Sequence, residues 1–157
     1  MNTDRNTTTR IDTALAVLRA TTGTIFFAHG AQKLFVYGFA GVTGAFDGMG
    51  VPLPQVAGPA TALVEFFGGL ALIAGLLTRL AGLGLAVTML GAIALVHLAG
   101  GFFAPNGIEF PLALLGAAIT LAISGAGRFS LDALIANRRA ATTSDAASAR
   151  RSTAQAA

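Results

Sequence analysis

Residues 79–99, RLAGLGLAVTMLGAIALVHLA, decide the fold. Between Arg79 and His97 the stretch carries no ionisable side chain. A bilayer hydrocarbon core asks for about 20 mainly apolar helical residues, and this run supplies them. Comparable runs cover 13–35 (TALAVLRATTGTIFFAHGAQKLF), 57–77 (AGPATALVEFFGGLALIAGLL) and 110–126 (FPLALLGAAITLAISGA), the last being short for a span. Strands of a membrane barrel would alternate apolar and polar residues; none of these runs does. Glycines inside them, such as Gly68, Gly69, Gly75, Gly82 and Gly84, suit helices whose backbones approach closely in lipid. The expected fold is all-α, an integral membrane four-helix bundle.

Composition agrees. Of 157 residues, 54% are hydrophobic and only 11% charged, where soluble domains average about 25% charged. Mean hydropathy is +0.72. Residues 1–12 form a polar N-terminal tail, 13–135 the membrane domain, and 136–157 a Ser-, Thr-, Ala- and Arg-rich tail expected to be disordered. The first run is long and no small-x-small cleavage site follows it, so it is expected to stay as a span rather than act as a cleaved signal.

The arginines orient the chain. They cluster at Arg5 and Arg10, at Arg79, and at Arg128, Arg138, Arg139, Arg150 and Arg151, whereas 34–56 and 100–109 contain no Lys or Arg. Cytoplasmic loops carry the basic excess, so both termini are expected in the cytoplasm and the two longer loops outside. The +3 net charge and pI near 10.6 therefore describe membrane topology, not a nucleic-acid partner.

Depth follows at ~1.5 Å per residue: Arg19 lies ~9 Å from the cytoplasmic end of its span, Glu65 ~18 Å, His29 ~24 Å and His97 ~27 Å. Lys33 and Glu109 fall near the outer boundary. Arg19, Thr22, Phe26, His29 and Lys33 share one helical stripe, and Gly58, Thr61, Glu65, Gly68 and Leu72 share another. A charge at mid-span costs ~2.5–3.5 kcal/mol or more against lipid, so both stripes are expected to turn inward. A carboxylate among them can stay charged by pairing or become neutral by taking a proton. Plainer roles exist: Lys33 snorkelling to the headgroups, Glu109 at the positive end of the helix that Pro111 starts, and Arg19 as an anchor.

In the loop 34–56, Thr43 could cap a short helix with Val42, Phe46 and Met49 on one face. Ser130 could cap an amphipathic surface helix with Leu131, Leu134 and Ile135 on one side. HGAQKLF at 29–35 and HLAGGFF at 97–103 share H-x-A-x-x-x-F, a slight hint of duplication.

The chain has no cysteine, which excludes thiolate nucleophiles, disulfide exchange within the chain and thiolate-held iron–sulfur clusters. No metal motif, P-loop or nucleophile elbow is present. Electrons would have to travel on a bound cofactor, a quinone or a partner. His29 and His97 on diagonal helices raise a bis-histidine haem, but neither stripe offers a haem-sized apolar face. A quinone-type headgroup needs only one or two protonatable groups beside an apolar slot, which His29 and Glu65 provide.

Several of these pieces occur together in one family. R-x9-HGAQKLF (Arg19 to Phe35), EFFGGLALIAGLLTR (Glu65 to Arg79), the Met89 to His97 segment, GFFAPNGIEFPL (Gly101 to Leu112) and GAGRFSLD (Gly125 to Asp132) resemble the DoxX family of small bacterial four-helix membrane proteins. The resemblance spans about residues 13–135 and includes Arg19, His29, Lys33, Glu65, His97 and Glu109. It implies a multi-pass protein of the cytoplasmic membrane and a label of oxidoreductase subunit, with relatives tied to quinone-linked sulfur oxidation and to thiol or oxidative-stress complexes. The leading expectation is a membrane subunit holding a small lipophilic, quinone-like ligand near the outer leaflet. Glu65 and His29 would exchange protons with its head, Lys33 and Glu109 would set the field, and His97 would donate a hydrogen bond. The alternatives are a non-enzymatic scaffold docking a redox or stress-response partner, or a small proton-coupled transporter. The bilayer, a redox partner and a second copy of the chain are the partners to expect.

Overall fold

The computed structural model describes residues 2–155, and every regular element among them is helical. Helix α1 (Asn2–Ala31) continues through a π-helical segment (Gln32–Tyr37) into α2 (Gly38–Gly48). Helix α3 is Pro54–Ala74. Helix α4 (Thr78–Ala92) is extended by a second π-helical segment (Ile93–His97) and a 3-10 turn (Leu98–Gly100). Helices α5 (Glu109–Ser124) and α6 (Leu131–Gln155) complete the chain. Three helical runs, Asn6–Gly48, Pro54–Ala74 and Thr78–Gly100, are long and apolar enough to cross a membrane; α5 is apolar but shorter. The protein is therefore a helical, multi-pass membrane protein.

The long connection expected at 34–56 is mostly helix, and only about residues 49–53 link α2 to α3. Its glycines lower helix propensity in water, but in an apolar medium each unpaired backbone group costs more than that propensity, so the helix persists. Thr43 accordingly lies inside α2 and caps nothing. Val42 is buried, and it meets Gly58 at the start of α3. Helix α6 runs on to Gln155 through the residues the sequence assigns to a tail, a stretch rich in alanine and arginine, which have high helix propensity. The last two residues of that tail lie outside the described residues. The H-x-A-x-x-x-F pattern sits on unlike backbones, because a π segment begins after His29 but ends on His97.

Two tight helix crossings build the bundle. Helix α1 packs along α3, where Gly30 faces the Phe66 backbone and Gly69 faces that of Phe27. A Cβ at either glycine would collide with main chain, so these positions set the crossing distance. Helix α4 packs on α5 through Gly82 against Ala118 and Ala122. Helix α3 also touches α4, and Phe26, Leu72, Leu85, Ala118 and Leu121 fill the shared core.

The α3–α4 turn is stapled by polar groups. Gly75 ends α3 at φ +66, and Leu77 precedes α4 at φ +49. The Asp132 carboxylate accepts the N–H groups of Leu77 (2.8 Å) and Thr78 (3.0 Å), capping α4 from another segment. Ser130 caps α6 as expected, its Oγ accepting from the Ala133 N–H at 3.1 Å. Asp12 Oδ1 accepts from the Arg128 N–H at 3.1 Å and ties early α1 to the same end. The SLD of GAGRFSLD is thus a clamp.

Candidate functional site

Most of both stripes faces inward, but His29 is exposed. Arg19, Thr22 and Phe26 are buried on α1, and Gly58, Glu65 and Leu72 on α3. Glu65, near the middle of α3, is only 4% exposed. A carboxylate so placed needs a partner, and Lys33 provides it: Nζ stands 2.5 Å from Glu65 Oε2. Lys33 begins beyond the last α-helical turn of α1, within the π segment. Its side chain turns into the bundle rather than out to a headgroup layer.

The pair forms part of one wall of a cavity of about 800 Å³. Helix α1 and its extension supply Phe26, His29 and Lys33; α3 supplies Thr61 and Glu65. Helix α4 and its π extension supply Thr88, Met89 and His97, and α5 supplies Phe110 and Leu114. Phe46 of α2 and Met49, which follows α2, also line it. The remaining lining is almost entirely aliphatic. Leu80, Leu83 and Val87 line the cavity yet are more than half exposed, so it is a cleft open sideways beside α4. In a membrane-embedded bundle such a mouth opens towards hydrocarbon.

Both protonatable groups from the helix extensions, Lys33 and His97, stand on π-helical turns. Such turns insert a residue into the α-helical repeat and recur at functional sites. They are absent from any simple count by 3.6, so the sequence does not foresee them. The His29 ring lies against Phe110, with centroids 6.3 Å apart. His97 Nδ1 is 3.1 Å from the Asn106 carbonyl oxygen in the α4–α5 loop.

The two other candidate residues stand elsewhere. Glu109 Oε1 accepts from the Ala104 N–H at 2.9 Å and braces the loop before α5; it does not line the cavity. Arg19, 6% exposed, reaches the α3–α4 turn. Its Nη1 donates to the carbonyls of Leu72 (3.4 Å) and Ile73 (3.3 Å), and its Nη2 to that of Phe129. These are the orphan carbonyls of a helix C-terminus and of the segment leading to α6. Gly75 leaves room for the guanidinium, which a Cβ would strike. Arg19 therefore shares the stripe of His29 and Lys33 without sharing their cavity. Asp12 and Asp132 complete this staple, and nothing in the sequence pattern singles them out for it. Among the described residues no cluster of three or more His, Asp or Glu side chains has metal-binding spacing.

Comparison with known proteins places the chain. The DoxX family model matches residues 14–98, and the model described as TQO small subunit DoxD matches residues 60–148. A Bacillus subtilis protein named "Putative oxidoreductase CatD" is 36% identical over 120 residues, covering 76% of this chain and 84% of its own. An uncharacterised membrane protein of Mycobacterium tuberculosis is 33% identical over 135 residues, covering 79% and 82%. An uncharacterised protein of Haemophilus influenzae is 36% identical over 122 residues, covering 75% and 87%. No solved structure matches. The family models and the relatives, spread over most of the chain, agree with the helical membrane architecture: the protein belongs to the DoxX family.

Proposed function

We propose that this protein is the membrane subunit of a redox system and that its cavity holds a small lipophilic ligand with a quinone-like head near the outer leaflet. One observation carries this reading: a cleft of about 800 Å³, aliphatic over most of its lining and open sideways, into which Lys33, Glu65, His29 and His97 converge. Ligand sites of this kind are apolar with a few placed polar groups. The exposed Leu80, Leu83 and Val87 suit an apolar tail, and the Lys33–Glu65 pair suits a polar head. The residues fit a quinone-like group on these grounds: Lys33 spends one of three ammonium donors on Glu65 and can offer another to a carbonyl oxygen. When bound, such a group would supply the electron chemistry; the chain's part is to seat it, orient the head and exchange protons through Glu65 and His29.

In this reading the protein crosses the bacterial cytoplasmic membrane four times with both termini inside. Two facts support it: the arginine asymmetry, and the meeting of Asp12, the α3–α4 turn and the segment before α6 at one end of the bundle. Soluble or membrane-bound partners would deliver the electrons. The match to a family described as a TQO small subunit, a name that itself denotes an assembly, supports a partner here.

The test is extraction of the protein into nanodiscs, with a visible spectrum and mass spectrometry of co-extracted lipophiles. A quinone present in the wild type and absent from folded Glu65→Gln and His29→Ala supports the reading. Nothing co-purifying, with the variants only less stable, overturns it and favours a scaffold that docks a partner.

A further inference from the structure

His97 has a fixed hydrogen-bonding polarity. The oxygen facing its Nδ1 is the main-chain carbonyl of Asn106, 3.1 Å away. A carbonyl can only accept, so Nδ1 carries the proton in this contact. In the neutral ring the other nitrogen, Nε2, is then a bare acceptor. The contact ties the end of the π segment Ile93–His97 to the loop leading into α5. It spends the donor that the sequence had reserved for a ligand.

His97 nevertheless lines the cavity, as does Lys33. Beside Glu65 and His29, which also line the cavity, Lys33 and His97 are two polar groups of opposite sense. Lys33 is a donor only, and the free nitrogen of neutral His97 is an acceptor only. A head bearing nothing but carbonyl or ether oxygens would satisfy Lys33 and leave Nε2 without a partner. A head that also bears a hydroxyl satisfies both. We propose that the cavity selects lipophiles whose head carries a hydroxyl donor, and that His97 Nε2 is the acceptor that reads it. This rests on the reading that the cavity holds a lipophile, and it narrows the class from acceptor-only heads to hydroxyl-bearing aromatic ones, phenols and quinols among them. His97 is then a specificity-determining residue.

The experiment uses full-length protein in nanodiscs and two probes, para-octylphenol and its O-methyl ether. Saturable binding is measured above that of empty nanodiscs of the same lipid. The ether keeps the acceptor oxygen and the tail and replaces the donor hydrogen by a methyl group. A hydrogen bond made inside an apolar cleft and lost in the ether is expected to favour the phenol about ten-fold. His97→Asn, whose amide can still reach the Asn106 carbonyl but has no group at the Nε2 position, is expected to bind both probes alike. His97→Gln, whose amide oxygen can stand near the Nε2 position, is expected to keep most of the preference. Nitrogen-15 spectra of histidine-labelled protein should show His97 protonated at Nδ1 with Nε2 bare.

Equal, saturable binding of both probes by the wild type would overturn the inference about His97 and leave the lipophile cavity standing. So would an unchanged preference in folded His97→Asn, or a proton found on Nε2. Absence of saturable binding for either probe would overturn both readings.

Discussion

The α3–α4 turn and the cavity are both built around side chains that a bilayer disfavours, yet they use them in opposite ways. At the turn, Arg19 spends both terminal nitrogens on carbonyls of Leu72, Ile73 and Phe129, and both Asp132 oxygens accept backbone N–H groups. These polar atoms are consumed by the chain itself, although Arg19 Nε and Thr78 Oγ1 at the same turn are buried without a hydrogen-bond partner and face no cavity. In the cavity, Lys33 and Glu65 satisfy one another through one atom each, while His29 meets only the ring of Phe110 among the contacts described for it. There the hydrogen-bonding capacity exceeds what the chain uses. An intramembrane charge is often taken as a sign of function. The contrast shows that burial alone does not separate function from architecture; unspent valence beside a cavity does.

The largest effect should come from the turn. Arg19→Leu removes three hydrogen bonds from a charged donor, each of order ~1.5–3 kcal/mol and not additive. A loss of about 5 kcal/mol and a sharp fall in folded yield are expected, read by thermal unfolding in detergent. Arg19→Lys should rescue little, because a single ammonium cannot reproduce the planar fork. Any protein that does fold should bind lipophiles as the wild type does. Weaker binding in that fraction would erase the distinction between the two regions.

Breaking the cavity pair should cost less and behave differently. Lys33→Met strands a buried carboxylate, an effect of about 3 kcal/mol. Adding Glu65→Leu should restore most of the lost stability while leaving lipophile binding abolished. A double variant as unstable as the single one would mean that the pair holds the bundle together as Arg19 does. Next in size is Asp132→Ala, which uncaps α4 where Leu77 already holds a positive φ. About 1–2 kcal/mol is expected in the same unfolding measurement, with binding unchanged.

Much of this was legible in the sequence, for reasons that differ between the regions. The apolar runs and the two inward stripes follow from helical period and the cost of charge in lipid, so Phe26, Glu65 and Leu72 fell where expected. Period fails where the period changes. The π segments at Gln32–Tyr37 and Ile93–His97 lie outside what a count by 3.6 can show, although Lys33 does turn inward with its stripe. Glycine content made 34–56 read as a loop, because propensity learned in water undervalues backbone hydrogen bonds in an apolar medium. Asp132 was illegible for another reason: its partners, Leu77 and Thr78, lie far away in sequence, and no local pattern marks a cap supplied across the fold. Arg19, ~9 Å from the cytoplasmic end of its span by residue count, lies inward and apart from the cavity; the carbonyls it meets at the α3–α4 turn are distant in sequence, and no local pattern marks them.

Glu109 is the sharpest small test, because it stands between the two regions. By sequence it belonged with Lys33 as a charge setting the field at the outer boundary. Its Oε1 instead accepts the Ala104 N–H, and its own N–H donates to the Phe102 carbonyl at 2.9 Å. The residue therefore closes the α4–α5 loop on itself, in the manner of Asp132 at the turn. Glutamine keeps a carbonyl oxygen on the same stem, so Glu109→Gln should retain the loop contact and cost under ~0.5 kcal/mol. Phenol binding should stay within two-fold, a spread of about 0.4 kcal/mol. Glu109→Ala, which removes the acceptor, should loosen the loop that holds Asn106 against His97. The observable would be a smaller preference for phenol over ether with the overall affinity for the ether unchanged. If Glu109→Gln itself abolished binding, the charge and not the contact would matter, and Glu109 would move from the clamps to the cavity.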